Sequence, residues 1–154
     1  MSAPLGSALA PRLDHVGLVV PDLDAAAAFF VDALGFRATR TARLGDPDDR
    51  LPETFGTPPG ARVRVAFFEA NPEGEGGANG GTVELLEWTA PDAQTDVRAP
   101  QDAGTVHLAL RVADVEAAAE RLAAVAGVTV FERNRLGFVY VRAPWGLLLQ
   151  LLPA

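Results

Sequence analysis

The stretch HVGLVVPDLDAAAAFFVDALG, residues 15–35, returns in altered form as HLALRVADVEAAAERLAAVAG, residues 107–127. An offset of 92 positions lays His on His, Gly on Gly and Asp22 on Asp114, with the acids Asp24 and Glu116 two residues further on. Repetition at a fixed offset means two copies of one supersecondary unit. In each copy apolar residues first alternate, Val16, Leu18 and Val20 in one and Val106, Leu108, Leu110 and Val112 in the other, as a strand with one buried face requires. The period then becomes helical: Leu23, Ala27, Phe30 and Leu34 are matched by Val115, Ala119, Leu122 and Ala126, one face of a 3.6-residue repeat. Asp22 and Asp114 stand where N-caps are wanted, and Asp24 and Glu116 favour the positive end of each helix dipole. Gly35 and Gly127 fall at the left-handed C-cap.

Three more runs of strand character follow each helix. In the first copy they are Phe36–Arg43, Arg62–Glu69 and Thr82–Trp88; in the second, Val128–Glu132, Phe138–Arg142 and Leu147–Leu152. The predicted fold class is therefore α+β, with two βαβββ modules forming a cupped mixed sheet and the helices on its outer face. The modules are expected over 13–90 and 105–154, joined by a linker at 91–104 and preceded by a tail at 1–12. At 154 residues and 16.2 kDa they make one structural domain. Two insertions lengthen the first copy. Leu44–Gly60, with four prolines, is expected to be an acidic solvated loop holding one helical turn around Glu53, and Asn71–Gly81 a Gly-rich hairpin loop. Neither carries the Asp-x-Asp-x-Asp-Gly spacing of a calcium loop.

Thirteen basic residues against twenty acidic ones give a net charge of −7, so there is no electrostatic footprint for nucleic acid or an anionic membrane. The chain has no cysteine, which removes disulfides, thiolate nucleophiles and iron–sulfur clusters and leaves metal binding to His, Asp, Glu or an amide. No apolar run is long enough to span a bilayer, and Pro4 and Gly6 break the first ten residues, which carry no basic side chain. No leader is expected, and the expected location is the cytoplasm. The glycines from Gly74 to Gly81 lie in a hairpin rather than ahead of a helix, so no nucleotide loop is present.

Strand parity sorts the polar residues. If Val83 and Leu85 face the helix, Glu84, Leu86 and Trp88 face away; Leu147, Leu149 and Leu151 likewise leave Gln150 on the far face. His15 and His107, the only histidines, share that face at repeat-related positions. Curled about a pseudo-twofold axis, the two units would bring His15, Glu84, His107 and Gln150 together. Two imidazoles, one carboxylate and one amide oxygen suit a divalent metal with open positions: Zn, Ni, Co, Mn or Fe. Phe68, Trp88 and Tyr140 are candidate apolar walls of a substrate pocket. Arg111 shares the parity of His107 and reaches the rim of the cup, or else pairs with Asp114 at the surface. Arg37, Arg40, Arg43, Arg62 and Arg64 form a cluster that either anchors a phosphate or carboxylate tail or balances the acidic loop.

The segments LDHVGLVVPDLDAAAAFFVDALGF, GTVELLEW, GTVHLALRVADVEAAAERL and PWGLLLQLL resemble the vicinal oxygen chelate superfamily, which includes glyoxalase I, methylmalonyl-CoA epimerase, extradiol dioxygenases, fosfomycin-resistance enzymes and bleomycin-resistance binding proteins. The resemblance runs from Leu13 to Leu152. It implies metal ligands on the first and last strands of each module, positions held here by His15, Glu84, His107 and Gln150. Most members carry Glu at the fourth position, and in glyoxalase-like and epimerase-like members that carboxylate commonly serves as the base. Gln150 takes up no proton at neutral pH, which leaves Glu84 as the one carboxylate of the set and the expected catalytic residue. The expected activity is a metal-dependent lyase or isomerase of the glyoxalase/epimerase type, acting next to a carbonyl of a small oxygenated substrate. The alternatives are a metal-free protein that sequesters an aromatic or drug-like ligand, and an Fe(II) dioxygenase using His15, His107 and Glu84. Exposed sheet edges, with the module pairing that the resemblance implies, lead to the expectation of a homodimer.

Overall fold

The computed structural model describes residues 13–70, 81–94 and 96–154. Strand β1 (His15–Val19) leads through the N-cap Asp22, whose carboxylate accepts from the Ala25 amide, into helix α1 (Leu23–Ala28). A π-helical segment, Phe29–Ala33, prolongs α1 to Gly35, whose φ of 75° reverses the chain. Then come β2 (Arg37–Leu44), a short 3-10 turn at Pro47–Asp49, helix α2 (Leu51–Phe55), β3 (Arg62–Glu69) and β4 (Thr82–Ala90). The second module repeats the order with β5 (His107–Val112), α3 (Val115–Ala123), β6 (Thr129–Val130), β7 (Val139–Arg142) and β8 (Leu148–Pro153). Asp114 caps α3 through the Glu116 and Ala117 amides, and Gly127 has a φ of 78°. The capping inferred from the repeat is therefore present in both copies.

Hydrogen bonding sorts the strands into two four-stranded mixed sheets, one per module, in the orders β1-β4-β3-β2 and β5-β8-β7-β6. In each, the first strand runs parallel to the last and the other neighbours are antiparallel. The helix-facing residues form one core across both modules: Leu18, Phe30, Phe68, Val83 and Leu85 from the first, and Leu122, Val141, Leu149 and Leu151 from the second. Where the modules meet, the Phe29 ring stands edge-on to Trp145 with centroids 5.3 Å apart, and the Arg121 guanidinium donates to the Asp32 carbonyl at 2.8 Å. Apolar burial on this scale is the main stabilising term for such a domain.

The far face of the first sheet is covered too. Val63, Val65, Phe67 and Leu86 form a second apolar cluster with Leu51 of α2 and Ala61, with Trp88 packed against it, and the Phe55 ring stands 5.4 Å from that of Trp88. The helical turn expected around Glu53 is present as α2, and most of 44–60 is exposed; the expectation of a solvated loop is corrected at Leu51, which is buried. The outward residues of β3 and β4 are apolar and need a cover, and α2 supplies it. The acids there cap backbone rather than bind a cation, since Asp49 accepts from the Gly45 and Asp46 amides at 2.6 and 2.9 Å. The expected hairpin loop over 71–81 lies outside the described residues except for Gly81. Among the described residues no helix is long and apolar enough to cross a membrane.

Candidate functional site

The register of the first sheet lines up Gly17, Glu84, Phe67 and Arg40 across four strands. His15, two residues before Gly17, shares their face. Its Nε2 lies 3.2 Å from Glu84 Oε2, while Nδ1 meets Asp14 Oδ1 at 2.7 Å. A proton on Nδ1 donated to Asp14 leaves the Nε2 lone pair directed at the Glu84 side, the carboxylate–histidine arrangement that orients a metal-binding imidazole. Asp14 raises the His15 pKa above its ordinary value; desolvation works against this and the Glu84 charge adds to it. A Cβ at Gly17 would stand 3.4 Å from both the Glu84 carboxylate and the Leu86 side chain, in van der Waals contact with them.

The second module repeats the arrangement. Ala109, Gln150 and Tyr140 are in register across β5, β8 and β7, the counterparts of Gly17, Glu84 and Phe67. The His107 and Tyr140 rings meet edge-to-face with centroids 5.7 Å apart, as His15 and Phe67 do at 5.6 Å. This likeness identifies Phe67, missed in the sequence, as the ring beside His15. Phe68 is corrected: its side chain is 1% exposed in the core beneath α1 and does not wall this site. Trp88 lies on the site face, four residues along β4 from Glu84, under the cover of α2. Arg111 lines the same cavity as His107 and donates to the Pro153 carbonyl at 2.7 Å rather than to Asp114.

Of the four expected ligands, His15 and Glu84 meet in the first module, and His107 and Gln150 lie on the second sheet. Among the described residues, no group of three or more His, Asp or Glu side chains is placed to hold a metal. The modules join through their helix-facing core, and His107 lines a cavity together with Val16 and Val83 of the first module. Leu13 and Val19, which flank His15 on β1 and its approach, are 77% and 58% exposed.

A family model described as the Glyoxalase/Bleomycin resistance protein/Dioxygenase superfamily matches residues 12–151. The chain belongs to this superfamily. Among its glyoxalase-superfamily relatives is the 2-epi-5-epi-valiolone epimerase of an Actinomyces species, 33% identical over 152 residues that cover 93% of this chain and 79% of the relative. A glyoxalase family protein from Bacillus cereus superposes with a TM-score of 0.77 at 20% identity, covering 96% of each chain. The fosfomycin resistance protein FosX from Listeria monocytogenes, complexed with Mn(II) and sulfate, superposes with a TM-score of 0.57 at 21% identity, covering 92% of this chain and 91% of that one. One relative is thus named an epimerase, and one protein of the same fold was solved with Mn(II). In this member, the fit to a metal rests on its own donors: an imidazole nitrogen and a carboxylate oxygen 3.2 Å apart, with the other imidazole nitrogen engaged by Asp14. That separation suits two ligands of one divalent ion.

Proposed function

We propose that the protein is a divalent-metal-dependent epimerase, or a related isomerase or lyase, acting on a carbon next to a carbonyl in a small oxygenated molecule. The observation that carries this is the His15–Glu84 contact backed by Asp14, in a superfamily member with an epimerase relative. We further propose that each complete site forms between two chains of a homodimer, His15 and Glu84 from one and His107 and Gln150 from the other. That no such ligand group forms within one chain among the described residues, and the exposed Leu13 and Val19, support that assembly. The proposed setting is the cytoplasm, where a chain without cysteine gives up no disulfides.

A divalent cation held by these four residues would supply a Lewis acid for a carbonyl and its neighbouring oxygen. The chain's own residues do the rest. Asp14 fixes the tautomer of His15, and Gln150 contributes a neutral oxygen without adding negative charge. Glu84 is the proton carrier, because it is the only carboxylate in the set. One carboxylate takes a proton from a carbon and returns it to that carbon or its neighbour, and the pose of the substrate decides which.

The test has two parts. Protein purified without added metal should hold a divalent ion that His107→Ala loses. In D2O, with 2-epi-5-epi-valiolone as the first probe, wild-type protein should exchange the proton next to the carbonyl, and Glu84→Gln should abolish exchange while retaining metal. Undiminished exchange in Glu84→Gln would show that another base acts. Metal-free protein with tight aromatic binding and no exchange would replace this reading with a sequestering protein.

A further inference from the structure

We propose that Arg40 anchors an anionic group of the substrate, a carboxylate or a phosphate, beside the His15–Glu84 pair. The proposal rests on the reading of that pair as the active site, but its observations are separate. Strand β2 carries a register shift between Ala38 and Arg40, so Ala38 faces Phe68 and Arg40, not Thr39, faces Phe67. The extra residue is accommodated: the Thr39 hydroxyl donates to the Phe67 carbonyl at 3.2 Å. Unbulged pairing would place Arg40 opposite Ala66, on the helix-facing side. The bulge therefore re-aims this one side chain onto the site face, as bulges beside functional sites do.

Once there, the guanidinium carbon lies 3.8 Å from the centre of the Phe67 ring, whose other neighbour is the His15 ring at 5.6 Å. Stacking holds the guanidinium plane while leaving its N–H edge unspent. Of the other arginines of the cluster, Arg37 is paired with Glu69 at 2.6 Å and Arg64 bridges Asp24 and Glu87 at 2.6 and 2.9 Å; Arg43 and Arg62, among the described residues, have neither an ion pair nor a ring beneath them, so Arg40 is set apart by the Phe67 ring. Among the described residues no acid lies within ion-pair distance of Arg40. In a chain of net charge −7, a cation without an acid, oriented by a ring that also touches the metal-ligand candidate, is arranged for an oxyanion supplied from outside. A planar fork accepts carboxylate and phosphate alike, bidentately.

The experiment titrates the metal-free full-length protein with inorganic phosphate and, separately, glycolate, following 1H–15N chemical shifts in wild type, Arg40→Ala, Arg40→Lys and Arg37→Ala. Arg40→Ala should weaken binding by about tenfold or more, with Arg40→Lys restoring part of it and Arg37→Ala unchanged, as expected when a bidentate charge-assisted pair is lost. A larger loss for phosphate identifies a phosphate ester, and a larger loss for glycolate a carboxylic acid. Equal affinities in wild type and Arg40→Ala, or an equal loss in Arg37→Ala, would overturn the proposal in favour of general surface charge. Metal uptake by His15→Ala is measured in parallel. If that uptake matches wild type, the metal reading falls while the anion result stands on its own.

Discussion

A mixture of two inactive variants should recover activity, in an amount set by the arrangement of the modules. His15→Ala damages the first module's share of the site and His107→Ala the second's; each alone should bind little metal. In equal amounts, with subunits allowed to exchange, half the dimers contain one chain of each kind. If every site takes its first-module residues from one chain and its second-module residues from the other, such a dimer has one site with both defects and one with none. About one quarter of all sites are then intact, the maximum over all mixing ratios, as two-fold symmetry dictates. The basis is structural: His15 and Glu84 meet within the first module, while His107 lies on the other sheet and joins no ligand group with them. Metal retained per chain after dialysis is the readout, with proton exchange in D2O as the second. Recovery should fall as the mixing ratio departs from unity. A mixture that stays at the level of the separate variants would refute the shared site, because a site confined to one chain always keeps one defect.

Two further outcomes follow from named contacts. Asp14→Asn, which weakens the charge-assisted bond to His15 Nδ1, should lower metal affinity by about tenfold, the low end for an outer partner of a histidine ligand, with unchanged thermal stability; unaltered affinity on competitive titration with a chelator would remove Asp14 from the site. The Asp24 carboxyl is held below its ordinary pKa, chiefly by the hydrogen bond from Arg64, so the stability it contributes is present above its unfolded-state value and disappears as pH falls through the lowered folded one. Asp24→Asn should therefore melt slightly below wild type at neutral pH and low salt, and the two melting curves should merge in acid; a gap that persists there would mean that the charge is not the cause.

Sequence periodicity carried much of this site, and its failures have identifiable physics. The caps at Asp22 and Asp114 and the turns at Gly35 and Gly127 were legible because each needs a particular residue type at a particular point of the repeat. His15 and Glu84 were legible because β1 and β4 alternate and polar residues interrupt the pattern. Strand β3 does not alternate: Val63, Val65 and Phe67 are buried on one side and Ala66 and Phe68 on the other, so nothing in its pattern distinguishes Phe67 from Phe68. The prolines and acids of 44–60 masked Leu51 and Phe55, two apolar residues that suffice to seat α2 on the sheet. The bulge that turns Arg40 has no compositional mark. The meeting of the modules through their helix faces is a tertiary choice, and local period says nothing about it.

The unequal lengths of the two modules also bias the order of events as the chain folds. Each sheet is completed by pairing its first strand with its last, and 67 residues separate His15 from Thr82 where only 41 separate His107 from Leu148. The entropy of closing a loop grows with the logarithm of its length, so the longer closure costs about 0.4 kcal/mol more, roughly a twofold disadvantage. Closure of the C-terminal sheet is thus favoured about twofold over that of the N-terminal one, and its Leu122 and Leu149 belong to the core that both halves share.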